Sequence, residues 1–358
     1  MNPPASQAEA WALLSAKALP HSALVALLRA FGDPLSILSA SRTQLSLQVP
    51  DTIVARLQQP IDDDSLALMR AWLAQPGHEV IGWDDPDYPR ALLDLGYAPP
   101  ALFFVGRRAL LNRPALAVVG SRNASAQGID NARAFARALS DAGVTIVSGL
   151  ALGVDAAAHE GGLAGIGSTL AVVGTGLDRV YPARHLDLAH VIAERGGLLT
   201  EFAPGTPPRE RNFPRRNRLI SGLARGVLVV EAALSSGSLI TARYAGEQGR
   251  EVFAIPGSIH SPMSRGCHKL IREGAKLVET ARDILEELGM GSGTSVPAIP
   301  TAGPADPLLA ALGGDPVDID TLVARTGWAA DAVTAALVRL ELDGRVAPIP
   351  GGRWQRRT

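Results

Sequence analysis

A chain of 358 residues with 47% hydrophobic and 19% charged residues has room for two or three domains and is too apolar for global disorder. Its formal net charge is −1, so global basicity does not mark it as a nucleic-acid binder, and charge has to be read locally. The single cysteine, Cys267, excludes a disulfide framework or a cysteine-based zinc site and is read as a small half-buried residue. No apolar run approaches the roughly 20 residues of a membrane helix. The start, MNPPASQAEAWALL, lacks the basic and apolar regions of a signal peptide. These features predict a cytoplasmic protein with no membrane partner.

Residues 1–75 read as a helical domain, with apolar faces at Ala8–Ala18 and Ser22–Phe31 and a break at Gly32, Asp33 and Pro34. Residues 76–288 read as a second domain. Its first part, Gly77–Arg107, is rich in Pro and Asp and reads as a connector with a strand or two. Six short apolar runs follow, at 115–119, 144–147, 169–173, 197–200, 226–230 and 251–255. Unalternating Val/Ile/Leu runs suit strands buried on both faces of a parallel sheet. The helical stretches between them give a βαβ rhythm, so the expected class is α/β, a doubly wound and mostly parallel sheet. Gly143 is placed for a helix end and Thr280 for the N-cap of a last helix.

Residues 289–306 are dominated by Gly, Pro and Ser and read as a flexible linker. Residues 307–358 read as helix, turn at Gly327, helix and hairpin, the winged-helix pattern. The second of those helices, Ala330–Asp343, carries Arg339 among Asp331, Glu341 and Asp343, which suits protein contact better than base reading. The tail arginines Arg353, Arg356 and Arg357 are available to a DNA backbone.

Ligands of open parallel sheets bind beyond the C-terminal strand ends. The turns there hold Gly120, Ser121 and Arg122; Ser148 and Gly149; Gly174, Gly176 and Arg184; and Ser236, Gly237 and Ser238. Small residues let backbone approach a ligand, and free N–H groups at helix starts favour anions. Neither the dinucleotide fingerprint nor a P-loop is met. The segment PRERNFPRRNRLISG, residues 208–222, is sharper. It sets Arg209, Arg211, Arg215, Arg216 and Arg218 around Phe213. Guanidinium forks suit phosphates and an interleaved aromatic can stack an unpaired base. A solvated basic loop with Phe213 in the core explains the same pattern. Asp155 and His159 lie one helical turn apart, but without a nucleophile elbow they are read as a capping and a packing residue.

In order and spacing, AVVGSRNAS, SGLALGVDAAAHEGGL, GTGLDRVYP, NFPRRNRLISGL, EAALSSGSLITARYAGEQGREVFAIPG and LIREGA resemble the DprA/Smf family over about residues 80–280. The resemblance implies an extended Rossmann-like domain, flanked by a SAM-like or helix-hairpin-helix region and a winged helix. It also implies binding of single-stranded DNA without sequence specificity, loading of RecA in natural transformation and recombination, and a homodimer through the Rossmann-like domain. No cofactor, metal or turnover is implied. Gly120, Ser121 and Arg122 match the family's GSR element, and Phe213, Arg216, Asn217 and Arg218 its FPxRNR element. Arg184 stands where many members carry lysine, and His185 and His268 where relatives carry asparagine. With Ser148, Gly149, Arg215, Ser236, Gly237 and Ser238, these make the expected DNA-binding set. The rival expectation is a nucleotide-processing or nucleotide-sensing protein akin to the lonely-guy phosphoribohydrolases, although EAALSSGSLITA lacks their paired glycines and terminal glutamate.

Overall fold

The computed structural model describes residue 4 and residues 6–290, 306–313 and 316–357. Apart from its two ends, the segment expected to be a linker lies outside the described residues. Nine strands form one sheet: β1 (His78–Gly82), β2 (Ala101–Gly106), β3 (Ala115–Val119), β4 (Thr145–Ser148), β5 (Thr169–Val172), β6 (Gly197–Thr200), β7 (Gly226–Val229), β8 (Glu251–Ala254) and β9 (Lys276–Leu277). Their order is β1-β2-β6-β5-β4-β3-β7-β8-β9. From β6 to β9 every neighbouring pair is parallel, with Ala117 of β3 opposite Val147 on one side and Val227 on the other. The chain therefore winds outward from β3 in one direction and resumes at β7 in the other. That reversal opens a crevice beyond the C-terminal ends of β3 and β7.

The central strands are buried on both faces, which is why they read as unbroken Val/Ile/Leu runs. Apolar clusters cover the two sides. One side holds Val119, Val147, Val172 and Val229 with Leu219 and Ile220. The other holds Val118, Ile146 and Leu228 with Phe135, Leu139 and Ile284. Ser125 caps the helix Ala126–Asp141 through Gly128 N–H at 3.0 Å, and Gly143 follows that helix at φ +86°. Thr280 opens the helix Ala281–Glu287 with a capping box to Asp283.

The segment read as a connector with a strand or two holds two strands. β1 and β2 pair antiparallel and add to β6, so they extend the sheet. Val80, Ala101 and Phe103 enter the core of the N-terminal helices, where Phe103 meets Trp72 edge-on at 5.5 Å. Near the C-terminus, helices Ile319–Thr326 and Ala330–Leu342 are separated by Gly327 in the left-handed region. Three strands follow the order β10 (Val317–Asp318), β12 (Arg353–Arg356), β11 (Val346–Ile349). The expected hairpin thus gains a third strand. No helix among the described residues is long and apolar enough to cross a membrane.

Candidate nucleic-acid interface

A cleft of about 630 Å³ occupies the crevice where the strand order reverses. One wall is the turn after β3. A Cβ on Gly120 would lie 2.6 Å from Val154 and 2.9 Å from the Glu231 carbonyl, so only glycine lets these elements meet. Ser121 N–H donates to Glu231 O at 2.8 Å, and Asn123 N–H donates to Ser121 Oγ at 3.1 Å. This tight turn leaves Arg122 exposed at the cleft mouth. The Glu231 carboxylate is occupied by Ser125, accepting from its N–H at 2.9 Å and its Oγ at 2.5 Å. The facing wall is Ser236, Gly237 and Ser238 at the start of the helix Ser238–Glu247, with the two serine hydroxyls 2.7 Å apart.

The third wall corrects the expectation of an arginine-rich loop. From Asn212 the segment is helical, to Leu223, with Pro214 tolerated in the first turn. Helical spacing sorts its side chains by face. Phe213, Arg216, Asn217 and Ile220 line the cleft. The Arg122 guanidinium lies 5.5 Å from the centre of the Phe213 ring, and Tyr181 stacks on the same ring at 5.5 Å with a 37° tilt. Arg216 is buried behind Phe213 at 4% exposure and donates from Nη1 to Val172 O at 2.5 Å. Burial lowers its pKa to about 10, Asp155 works against that fall, and Arg122 adds to it. It remains a cation at neutral pH.

Burial pushes the Asp155 carboxyl upward, while Arg216 and the N–H groups of Ala151 and Gly149 hold it back. Those N–H groups donate to Oδ2 at 3.3 and 3.1 Å. His159 is wholly buried, and burial together with nearby Arg216 brings its pKa to about 3. Leu150 N–H donates to His159 Nε2 at 3.2 Å, so the ring proton sits on Nδ1 and is given to Thr169 Oγ1 at 2.7 Å. The pair therefore organises the loop below the cleft.

Five residues of the expected set stand elsewhere. Ser148 turns into the sheet and donates to Val118 O at 2.7 Å. Gly149 lies beneath Arg216, with its N–H committed to Asp155. Arg215 and Arg218 leave on the other side of their helix and meet at Glu201, each at 2.6 Å. Arg184 is exposed on the turn after β5, outside the cleft lining. Both histidines tie loops. His185 Nδ1 pairs with Leu150 O at 3.0 Å and His268 Nε2 with Gly257 O at 3.0 Å. Cys267 is buried beside Val229 O and Val230 O, and burial pushes its thiol up to about 12, so it is a packing residue. The expected binding set left out Tyr181, Asn123 and Glu210, which also line the cleft. Helical phasing across 212–223 was the signal that would have separated Arg216 from Arg215 and Arg218.

Comparison with known proteins agrees with this architecture. Residues 79–289 match the family described as DNA recombination-mediator protein A, and residues 293–352 match the DprA winged helix domain. The chain is 47% identical over 292 residues to Protein Smf of Escherichia coli, covering 78% of each chain. It is 36% identical to a putative DNA processing protein DprA of Mycobacterium tuberculosis, covering 97% of this chain and 94% of that one. The X-ray structure of DNA processing protein A from Streptococcus pneumoniae superposes with a TM-score of 0.66 at 40% identity, over 79% of this chain and 98% of that one. A structure concerning the single-stranded DNA binding mode of the Helicobacter pylori protein has a TM-score of 0.52 at 31% identity, over 56% and 92%. With more than half its length inside the first of these matches, the chain belongs to the DNA recombination-mediator protein A family.

Proposed function

We propose that the protein binds single-stranded DNA in the cleft at the strand reversal, without reading sequence and without turnover. The carrying observation is the Arg122–Phe213–Tyr181 cluster at the cleft mouth with the Arg216 cation behind it. An arginine stacked on a half-buried aromatic at the cleft mouth offers a phosphate contact and a base-sized face at one place, which an unpaired strand can use and a duplex cannot. The start of the helix Ser238–Glu247 adds a favourable end for phosphate. The Helicobacter pylori relative, whose structure concerns single-stranded DNA binding, supports the same reading.

Loading of RecA onto the bound strand during transformation and recombination is proposed on family grounds. So is a homodimer through the Rossmann-like domain. Leu277, 45% exposed on the edge strand β9, suits such an interface. The test is a gel-shift series with single-stranded and duplex DNA at several salt concentrations. Arg122→Glu is expected to lower single-strand affinity about tenfold or more at physiological salt and to flatten its salt dependence. Equal affinity of variant and parent would overturn the site. Release of a free base from nucleoside monophosphates would favour the phosphoribohydrolase reading.

A further inference from the structure

A second cavity, of about 740 Å³, lies between the sheet domain and the C-terminal strands. It opens directly off the first cleft, because Asn123 and Met263 line both. One bank is the start of the helix Ala126–Asp141 together with the loop after β8. The other is Ile349, Pro350 and Arg353 of the β11–β12 hairpin. That second bank is clamped to the first. Arg357, next after β12, donates from Nε and Nη2 to the two carboxylate oxygens of Asp130 at 3.2 and 3.1 Å. Its backbone N–H donates to Arg345 O at 2.8 Å. The structure therefore sorts the tail arginines. Arg357 is committed to Asp130, which it shares with Arg133. Arg353 is exposed on the channel wall and makes no ion pair among the described residues. Among the described residues the lining holds one carboxylate, Glu231, and both of its oxygens already accept from Ser125. The side-chain amides of Asn123, Gln127 and Asn131 make no hydrogen bond among the described residues, and Asn123 is exposed. Ile255, Pro256 and Met263 add apolar contact between these polar groups.

We infer that a single DNA strand leaving the first cleft at Asn123 continues through this channel, with Arg353 on one of its phosphates and the winged helix as its far bank. The inference rests on the single-strand reading of the first cleft, from which the strand arrives unpaired. An unpaired guanidinium suits a phosphate, and uncharged amides between apolar side chains suit bases that vary from site to site. The Asp130–Arg357 pair is a positioning contact. It touches no DNA and keeps Arg353 beside the path.

The experiment titrates the full-length protein with dT strands of about 4, 8 and 16 nucleotides at several salt concentrations. The shortest strand fills the first cleft alone. Affinity is expected to rise about tenfold from the first length to the second, beyond what extra binding registers give. Arg353→Ala should remove that rise and leave the shortest strand unaffected. It should also lower the log–log salt slope of the longest by about 0.7, the share of one phosphate contact. Asp130→Lys should remove the rise too, although it adds positive charge. Combining it with Arg357→Glu restores the pair with its signs exchanged and should bring the rise back. A long strand carrying a photoreactive thymine analogue should label residues 349–355 as well as the first cleft. Labelling confined to the first cleft, with long-strand affinity indifferent to Arg353→Ala, overturns the channel and leaves the cleft standing. Tighter binding by Asp130→Lys at every length also overturns it, since charge alone would then set affinity. Should Arg122→Glu leave all three strands unaffected, the first cleft falls instead, and labelling at 349–355 still decides the channel.

Discussion

His159 has a consequence for stability that its burial sets. Its pKa falls from an ordinary 6.5 to about 3 because burial disfavours the imidazolium, with Arg216 and His185 adding to the effect. The unfolded chain therefore takes up a proton that the folded chain refuses. The stabilising contribution is complete above about pH 6.5 and declines as pH falls toward 3, by at most about 1.4 kcal/mol per pH unit. Asp155, whose carboxyl is raised by burial, works in the opposite sense and gains stability as pH falls. Comparing urea unfolding of the parent and His159→Gln between pH 4 and 7 isolates the histidine. The variant is expected to show the flatter acid slope, and parallel slopes would sink the assignment. The sequence reading of His159 as a packing residue agrees with its burial, but nothing around AAAHEGG names the partners that hold it neutral. Its partners, Thr169 Oγ1 and Leu150 N–H, are brought to it by a neighbouring strand and loop.

At the scale of elements, legibility follows the range of the forces involved. The parallel strands were readable because burial on both faces writes itself into consecutive residues. The turns after β3 and β7 were readable because tight strand-to-helix passages demand small side chains. The helix Asn212–Leu223 was harder, because a proline and three arginines look like a loop until the 3.6-residue period is imposed. Its two faces then carry different chemistry, Phe213 and Arg216 toward the cleft and Arg215 and Arg218 toward Glu201. Gly149 is the element on which the first face rests. A Cβ there would lie 2.6 Å from Arg216 Cζ and 2.7 Å from Asp155 Oδ2. Gly149→Ala is therefore expected to dislodge Arg216, destabilising the protein by about 1–3 kcal/mol. Single-strand affinity should fall with it. Unaltered thermal stability together with unaltered binding would show that the guanidinium position is dispensable.

At the scale of the molecule, a formal charge of −1 conceals where the charges meet, with Arg122 and Arg216 lining the cleft together with Asp155 and Glu210. The composition could not show this, since only folding brings Arg122 and Arg216 together. The pairing of β1 and β2 was equally hidden, because their Pro- and Asp-rich surroundings resemble any surface connector. Yet this hairpin has one face in each of two cores. Ile81, Leu102 and Phe104 belong to the core of the sheet, and Val80, Ala101 and Phe103 to that of the N-terminal helices. The two regions share a wall and should melt as one cooperative unit. A chain begun at residue 76 would strip that wall of its cover and is expected to aggregate. A chain ended at residue 290 should keep the main calorimetric transition, since the C-terminal cluster of Leu308, Leu322 and Leu337 is self-contained. Two separate melting transitions before residue 290 would disprove the shared wall. Melting as one unit would make the boundary near residue 75 a change of secondary structure inside a single folding unit.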